Sequence, residues 1–331
     1  MIIPPLFLEK RRPESYQRVA KYQAGEFNPD PLPLPLSSTT RQSNATKATM
    51  SIPAGPLSIG DQIEDRYEVQ SILYQGGNST LYRVLDSIKQ RHYVLKVWHK
   101  SVHQNLLLQK QLNRIVQYLA PLKHSGIVRI RKVFQGPFKG MLMDELKGES
   151  LQDVLSRCPD GLTTSEALRM IRSITHTVSF LHKHKIVHGD LKPGNLFVAD
   201  NGRLILLDFD CAQYARLKAG QWVCDVPRAL TPAFASHALL SGLALSIQDD
   251  YYSLGCLFYM MLSGQHPFFY KTSRDVVERT LQPERIPILS DNQWQGLRQL
   301  LSIPLAGSQY TLTDFERQFF ARRHDTQNHE T

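Results

Sequence analysis

The sequence predicts an α+β fold in which a small β-rich lobe precedes a larger helical lobe. Residues 67–144 contain short runs in which β-branched and aromatic residues alternate with polar ones, separated by turn residues. Beyond residue 144, apolar residues recur at the spacing of a helix face. A small sheet followed by a helical body is typical of the α+β class.

Two kinds of periodicity locate the individual elements. The predicted strands cover 67–73, 80–85, 93–98, 128–134 and 141–144. An amphipathic helix is predicted from the apolar face formed by Leu168, Ile171, Ile174, Val178 and Leu181. A second helix, at 250–262, is apolar on nearly every side, so we predict that it is buried.

The chain divides into four predicted segments. Residues 1–56 hold nine of the 19 prolines, including an alternating run at 29–35, and eight serine and threonine residues lie within 37–51. Alternating proline favours an extended chain without a core, so we predict that 1–56 is disordered. The small lobe is predicted at 57–143, the helical lobe at 144–322 and a disordered tail at 323–331.

Composition and charge argue against several classes of protein. The chain of 331 residues has a formal net charge of +9, and its sequence has no acidic residue between Ser87 and Met143. Because no nucleic-acid-binding signature accompanies this charge, nucleic acid is not favoured as a partner. The longest apolar run, 254–262, is too short to span a bilayer. Four cysteines without a Cys-x-x-Cys pattern favour free thiols in a reducing cytoplasm.

Four polar residues that suit phosphoryl transfer lie close together in the sequence. Residues 188–195 read His-Gly-Asp-Leu-Lys-Pro-Gly-Asn, and Asp208-Phe209-Asp210 follows a hydrophobic run that predicts Asp208 at a strand end. Phosphoryl transfer needs oxygen ligands for Mg²⁺, a positioned base and a cation near the γ-phosphate. This set is supplied by Asp190, Lys192, Asn195 and Asp208.

This segment resembles the catalytic and metal-binding loops of the protein-kinase superfamily, and is most similar to bacterial Hanks-type serine/threonine kinases. The resemblance implies a bilobal kinase fold, ATP as phosphoryl donor and protein substrates with serine or threonine acceptors. It also implies that Asp190 accepts the hydroxyl proton and Lys192 neutralises the γ-phosphate. Asn195 and Asp208 would bind Mg²⁺, with Mn²⁺ as an alternative.

The resemblance extends to a nucleotide site in the small lobe. Residues 75–82 resemble the glycine-rich loop, with Gly76, Gly77 and Ser79 at its turn, and Lys96 resembles the strand lysine that binds the α- and β-phosphates. Residues 141–146 resemble the hinge that binds adenine through its backbone, including Asp144, with Met143 as gatekeeper. The residues implied to sandwich the base are Leu81, Val94, Leu146 and Phe197.

The helical lobe shows further resemblance, which covers roughly 60–322 in all. Asp250 lies at the start of the buried helix, where the family has an aspartate that orders the catalytic loop. Lys192 and the pair Thr231-Pro232 are similar to the serine/threonine pattern rather than the tyrosine pattern.

Several positions depart from the family. Tyr74 and Ser79 replace the first and third loop glycines, Gly189 replaces the arginine of His-Arg-Asp, and Asp210 replaces a glycine. The Ala-Pro-Glu segment reads Ser-His-Ala at 236–238, and its arginine partner near 303–310 is also absent from the sequence.

The helix expected near 104–119 has no glutamate to pair with Lys96. Ile115 lies at the expected position, and Gln111 and Gln117 are the nearest polar candidates. Between Asp208 and Arg228 the only hydroxyl acceptor in the sequence is Tyr214. The resemblance implies that the arginine of His-Arg-Asp binds a phosphate on the segment after Asp208. Because this chain has neither that arginine nor a serine or threonine in the segment 208–228, we expect that its activation does not require phosphorylation of the segment.

Three functions follow from these patterns. The first is an active serine/threonine kinase, the second a nucleotide-binding pseudokinase or scaffold, and the third a small-molecule kinase of the aminoglycoside or choline type. Small-molecule kinases of this type also use a His-Gly-Asp motif. The pairs Lys192-Pro193 and Thr231-Pro232 of this chain, however, are typical of protein kinases and argue against this third function. We further hypothesise that autophosphorylation falls within 37–51 and that the 1–56 segment then docks a partner, the alternative being an inert linker.

Overall fold

The computed structural model describes residues 57–104, 106–136, 138–218, 221–223, 231–302 and 310–320. Contacts divide the chain into two compact units. Within the described residues, one unit comprises 57–104 and Arg131–Glu145, and the other comprises 106–130 and the chain from Leu146 onward. The predicted disordered segments 1–56 and 323–331 lie outside the described residues, and the predicted lobe boundary at 143/144 stays a prediction.

The first unit is built on a six-stranded sheet with the order β1-β2-β3-β4-β6-β5. The pairings of β1 with β2, β2 with β3, β3 with β4 and β4 with β6 are all antiparallel. A short helix, α1 (Lys100–Gln104), follows β4. The strands are β1 (Gln62–Ile63), β2 (Tyr67–Gln75), β3 (Ser79–Asp86), β4 (Arg91–Trp98), β5 (Ile130–Phe134) and β6 (Gly140–Asp144).

One face of this sheet forms the core of the unit. Tyr82 on β3 is opposite Leu95 on β4, which is opposite Leu142 on β6. Each of these three side chains is at most 1% exposed, and all three belong to one cluster with Val69, Phe134 and other apolar residues. Since side chains alternate between the two faces of a strand, the residues between them lie on the opposite face.

The second unit is mainly helical. Its helices are α2 (Leu106–Leu119), α3 (Leu151–Ser156), α4 (Thr164–Lys183), α5 (His237–Leu240), α6 (Ile247–Ser263), α7 (Ser273–Glu278), α8 (Asp291–Leu301) and α9 (Leu312–Phe320). Its short strands are β7 (Gly148–Ser150), β8 (Ile186–Val187), β9 (Leu196–Ala199), β10 (Leu204–Leu206), β11 (Gln213–Tyr214), β12 (Arg216–Lys218) and β13 (Gln221–Val223).

Helix α6 forms the centre of this unit. Every residue from Asp249 to Leu262 is buried, which confirms the helix predicted at 250–262. The helix ends at Gly264, whose φ of +75° is left-handed and whose added Cβ would lie 2.0 Å from the carbonyl oxygen of Pro159. Only glycine fits this position, because a side chain would meet backbone there.

The amphipathic helix predicted around 168–181 is also confirmed as α4. A capping box begins it, in which the Thr163 hydroxyl accepts from the Glu166 N–H and the Glu166 carboxylate accepts from the Thr163 N–H. Its buried face includes Ile171, Ile174 and Val178. No helix in the described part of the chain is long and apolar enough to cross a membrane.

The predicted strands agree with the sheet except at one end. The strand predicted at 128–134 begins two residues later, at Ile130. The reason is a different partner, because the Val128 N–H donates to the carbonyl of Leu206 at 3.0 Å and Ile127 forms a parallel bridge with Leu206. The start of the predicted strand was therefore wrong, since its first residues pair with β10.

Candidate active site

The segment 188–195 forms a loop between β8 and β9. Strand β8 pairs with β11, so the chain after Asp208 runs beside the entry to this loop. A 3₁₀ turn at Pro193–Asn195 closes the loop, and the Leu207 N–H donates to the Asn195 carbonyl at 3.0 Å. Asn195 and Asp208, which are 13 residues apart in the sequence, are thereby brought to neighbouring positions.

Four side chains converge at the centre of this loop. The carboxylate of Asp190 lies 2.8 Å from the Lys192 ammonium, and it accepts a 3.0 Å hydrogen bond from the Asn195 amide. The Thr231 hydroxyl donates to Asp190 Oδ1 at 2.6 Å and accepts from Lys192 Nζ at 2.7 Å. Both carboxylate oxygens of Asp190 are therefore oriented by donors, and the group is 13% exposed.

The backbone of the loop is held by Asp250, which is fully buried at the start of α6. Its carboxylate accepts from the N–H groups of His188 and Gly189 at 2.9 and 2.8 Å, and it lies 2.7 Å from His182 Nε2 on α4. Burial alone would raise the pKa of Asp250, but the hydrogen bond and charge of His182 hold that pKa below its usual value. This geometry agrees with the loop-ordering role that the family resemblance implied.

Gly189 explains one departure from the family pattern. Its φ is +77°, and an added Cβ would lie 2.9 Å from the side chain of Leu245. A residue other than glycine would cost roughly 1–2 kcal/mol in this left-handed conformation. Gly189 therefore places the N–H that bonds Asp250 without backbone strain.

His188 supports the backbone of the 188–195 loop. Its side chain is fully buried and packs on the ring of Phe209, with centroids 5.0 Å apart. Burial holds the pKa of His188 below its usual value, so the ring is neutral near pH 7. Its Nδ1 accepts a 3.3 Å hydrogen bond from the Asp190 N–H. The ring thus contributes to the position of the Asp190 backbone.

The segment that carries Thr231 is anchored to α6 as well. The Ser253 hydroxyl donates to the Phe234 carbonyl at 2.8 Å, and His266 Nε2 lies 3.0 Å from the Ala233 carbonyl. The hydroxyl of Ser236 donates to the buried carboxylate of Asp249 and also caps α5. Burial raises the pKa of Asp249, although hydrogen bonds from Ser236 and Ser246 act against that rise.

The predicted nucleotide residues of the sheet unit share one face. Leu81 on β3 is opposite Lys96 on β4, and Val94 on β4 is opposite Met143 on β6. These four residues lie on the face away from the core cluster, and Lys96 is only 4% exposed. The other two predicted adenine contacts, Leu146 and Phe197, belong to the helical unit.

The predicted hinge carries a contact that the sequence did not reveal. Arg131 forms a two-pronged pair with the Asp144 carboxylate at 2.8 and 2.6 Å, and Arg91 lies 3.4 Å from it. Arg83 pairs with Glu145 at 2.7 Å. The side chain of Asp144 therefore neutralises part of the basic sheet, so only its backbone stays a candidate for adenine contact.

Helix α2 and the chain after Asp208 meet through two tyrosine rings. Tyr118 near the end of α2 stacks on Tyr214 of β11, with centroids 3.6 Å apart and planes 8° apart. On the same helix Ile115 is buried, Gln111 is half-buried and Gln117 is exposed. The position where the family has glutamate therefore packs as an apolar residue.

Residues 67–324 match the family model described as the protein kinase domain. This chain belongs to the protein kinase family. The predicted resemblance and the two-lobed α+β fold class are both confirmed.

Named relatives agree with this assignment at low identity. The kinase domain is 27% identical over 238 residues to serine/threonine-protein kinase PknB of Mycolicibacterium smegmatis, covering 70% of this chain and 38% of that protein. It is 28% identical to serine/threonine-protein kinase pkn2 of Myxococcus xanthus, over 68% of this chain and 28% of that protein. It is also 28% identical to human calcium/calmodulin-dependent protein kinase type IV, over 63% of this chain and 43% of that protein. The alignments thus cover less than half of each relative.

Several supporting residues of this kinase domain were not predicted from the sequence. His182, Asp249 and Ser236 make side-chain hydrogen bonds that hold the 188–195 loop or the Thr231 segment. His182 carried no signal, since it occupies an ordinary helical position. Asp249 gave a weak sequence signal, because a second aspartate next to Asp250 at the start of a buried helix needs hydrogen-bond partners of its own.

Proposed function

We propose that this kinase domain is an active serine/threonine protein kinase that transfers the γ-phosphate of ATP to protein hydroxyl groups. The observation that carries the proposal is the network of Asp190, Lys192, Asn195 and Thr231. It combines an oriented carboxylate, a cation and a hydroxyl-bearing residue from the substrate-side segment. The names of the bacterial relatives point to the same activity.

In this mechanism Asp190 accepts the proton of the substrate hydroxyl as the new bond to phosphorus forms. Thr231 and Asn195 hold its two oxygens, so the carboxylate needs little reorientation before the reaction. Lys192, 2.8 Å away, provides positive charge where the transferred phosphoryl group would develop negative charge. Lys96 would serve the α- and β-phosphates from the sheet unit.

The donor chemistry near Asp208 suits a magnesium ion. The amide nitrogen of Asn195 is directed at the backbone and side chain of Asp190, at 2.7 and 3.0 Å, so its Oδ1 is turned the other way. An amide oxygen and the Asp208 carboxylate are the oxygen donors that Mg²⁺ prefers. When bound, the ion would neutralise phosphate charge. Mn²⁺, which takes similar ligands, would substitute.

A nucleotide-binding pseudokinase is the second candidate function. It is favoured by the sequence of α2, which has no glutamate, and by the burial of Ile115 at the expected position. A neutral amide would hold Lys96 more weakly than a charge-assisted pair would. A small-molecule kinase is less favoured, because the contacts of Thr231 with Asp190 and Lys192 suit a segment that presents protein substrates.

An assay with γ-labelled ATP and Mg²⁺ tests the proposal, with generic protein substrates, aminoglycosides and choline offered in parallel. We expect label on serine and threonine and its loss in Asp190→Asn. The matched control is Asp200→Asn, at an exposed turn after β9, which should transfer phosphate like wild type. Nucleotide binding without transfer to any protein, including itself, would favour the pseudokinase. Label transferred only to aminoglycosides or choline would favour the third function.

The serine- and threonine-rich stretch 37–51 is proposed as the main site of autophosphorylation. A tethered acceptor has a high effective concentration at its own active site, and the described part of the Asp208–Arg228 segment offers only Tyr214. Phosphate there would create a docking mark for a partner of the 1–56 segment. Phosphosite mapping after incubation with Mg²⁺ and ATP tests this, together with the activity of a chain that begins at residue 57. Phosphate found only beyond residue 57 would contradict it.

A further inference from the structure

The glycine-rich loop of this kinase has lost two of the glycines that the family uses. Tyr74 and Ser79 take their places, and Ser79 is 7% exposed. Loop glycines allow a flexible backbone to approach phosphate closely, and side chains at two of three positions reduce that freedom. The conformation of this loop therefore depends on the contacts that its residues make.

The turn itself is tight and closed by its own backbone. The Gly76 N–H donates to the Ser79 carbonyl at 2.9 Å. A Cβ added to Gly76 would lie 2.8 Å from the ring of Tyr74, so the tyrosine that replaces the first glycine packs against the second. A side chain at position 76 would therefore have to displace the Tyr74 ring.

One residue outside the turn makes three hydrogen bonds to it. The His99 N–H donates to the Asn78 carbonyl at 2.8 Å, which extends the pairing of β3 and β4 by one residue. Its ring Nδ1 lies 3.0 Å from the Gly77 carbonyl, and its Nε2 lies 2.9 Å from the Thr80 hydroxyl. His99 thus contacts three of the four residues from Gly77 to Thr80.

The chemistry of the partners assigns the protons of this ring. A carbonyl can only accept, so Nδ1 of His99 carries a proton and donates to Gly77. The Thr80 hydroxyl either donates to a neutral Nε2 or accepts from a protonated one. Both ring nitrogens are therefore satisfied in either charge state. The Thr80 side chain is 4% exposed, so its hydroxyl needs such a partner.

We propose that His99 is a positioning residue that braces the glycine-rich loop for nucleotide phosphates, replacing the flexible glycines with a fixed conformation. This inference rests on the proposed nucleotide-binding role of the loop. A loop that is already ordered loses less conformational entropy when a ligand binds, so the brace should strengthen nucleotide binding.

Nucleotide affinity of purified variants provides the first test. We expect His99→Ala to weaken binding of Mg²⁺ with a fluorescent ATP analogue by about fivefold, since it removes two side-chain hydrogen bonds. His99→Asn keeps a donor near the position of Nδ1 and should stay within about twofold of wild type. Thr80→Val, which removes one partner, should give an intermediate loss. His92→Ala, at the other end of β4, is the matched control and should bind like wild type.

Hydrogen exchange without nucleotide provides the second test. Peptides covering 75–80 should take up deuterium faster in His99→Ala than in wild type and His92→Ala. Unchanged affinity and unchanged exchange in His99→Ala would overturn the inference. If His99→Ala fails to fold, the same two measurements on Thr80→Val decide it, and wild-type affinity and exchange in that variant would overturn the inference. If the wild-type protein binds nucleotide but transfers no phosphate, the proposed catalytic function is refuted and the proposed role of His99 is unaffected. If the wild-type protein binds no nucleotide, the nucleotide-binding role of the loop is overturned.

Discussion

The catalytic loop and the glycine-rich loop are supported by different kinds of hydrogen bond. At the catalytic loop, buried Asp250 accepts from two backbone N–H groups and pairs with His182. At the glycine-rich loop, the His99 ring contacts one carbonyl and one hydroxyl beside the start of β3 and the end of β4, two inner strands of the sheet. The first support is a buried charge, whereas the second consists of groups that stay satisfied whether or not the ring is charged.

This difference accounts for where the chain departs from the family. A buried carboxylate that loses its partners is strongly destabilising, so the residues around Asp250 have little freedom to change. Glycine at position 189, where the family has arginine, still supplies the N–H that bonds Asp250. In the glycine-rich loop, the hydrogen bonds from the His99 ring are worth only about 1 kcal/mol each, so changes at Tyr74 and Ser79 put less stability at risk.

The largest expected effect is the loss of phosphoryl transfer in variants of the catalytic loop and of Asp208. Asp190→Ala and Asp208→Ala should both reduce phosphoryl transfer by about 100- to 10,000-fold. Only Asp208→Ala should also weaken binding of Mg²⁺ and ATP, because Asp190 acts in the chemical step. Parallel measurement of turnover and nucleotide dissociation constants separates the two. Equal loss of nucleotide binding in both variants would contradict the assigned roles.

The next largest effect is expected in the sheet unit. Lys96→Met should lower turnover by about 100- to 1,000-fold if its ammonium stabilises phosphate charge. Gln111→Ala and Gln117→Ala test whether either amide assists it, and half-buried Gln111 should have the greater effect. Steady-state kinetics on the three variants provides the measurement. Unchanged turnover in Lys96→Met would show that another cation performs this role.

Two neighbouring aspartates offer a matched comparison of stability. Asp250→Asn removes a charge that three donors share, and should lower the free energy of unfolding by about 3 kcal/mol. Asp249→Asn should cost about 1 kcal/mol, because an amide can still bond Ser236 and Ser246. Urea denaturation measures both. A similar cost at the two positions would show that the charge of Asp250 is not what holds the catalytic loop.

The same pair should respond to pH in opposite ways. The pKa of Asp250 is lowered, so its contribution is present above the unfolded value of about 3.9 and is lost as pH falls through the folded pKa. The pKa of Asp249 is raised, so its ionisation costs stability as pH rises above the unfolded value. Unfolding curves between about pH 3 and 6 should show Asp249→Asn becoming relatively more stable as pH rises.

The smallest effect is expected at the tyrosine stack. Tyr214→Phe should keep wild-type activity, because the ring still stacks on Tyr118 and no phosphate on this residue is needed. Tyr118→Leu should lower stability by about 1 kcal/mol, the scale of an aromatic pair. Kinetic assays and thermal melts check both. An inactive Tyr214→Phe would show that phosphorylation of this tyrosine activates the kinase.

Local patterns in the sequence determined most of the architecture and the residues of the candidate site. Alternation predicted the strands of the sheet, and the continuous apolar run at 250–262 predicted the buried α6. The spacing of Asp190, Lys192, Asn195 and Asp208 indicated phosphoryl transfer, because these residues lie on one loop and the strand next to it. Such features are local, so a single sequence contains them.

Only the tertiary structure decided how these residues are supported. The contacts of His182 with Asp250, Ser236 with Asp249, and Tyr118 with Tyr214 join residues that are between 13 and 96 positions apart. No periodicity records such pairs, because each depends on how helices and loops pack after the chain has folded. The same holds for Arg131 with Asp144, where the basic character of the sheet was visible in the sequence but its acidic partner was not.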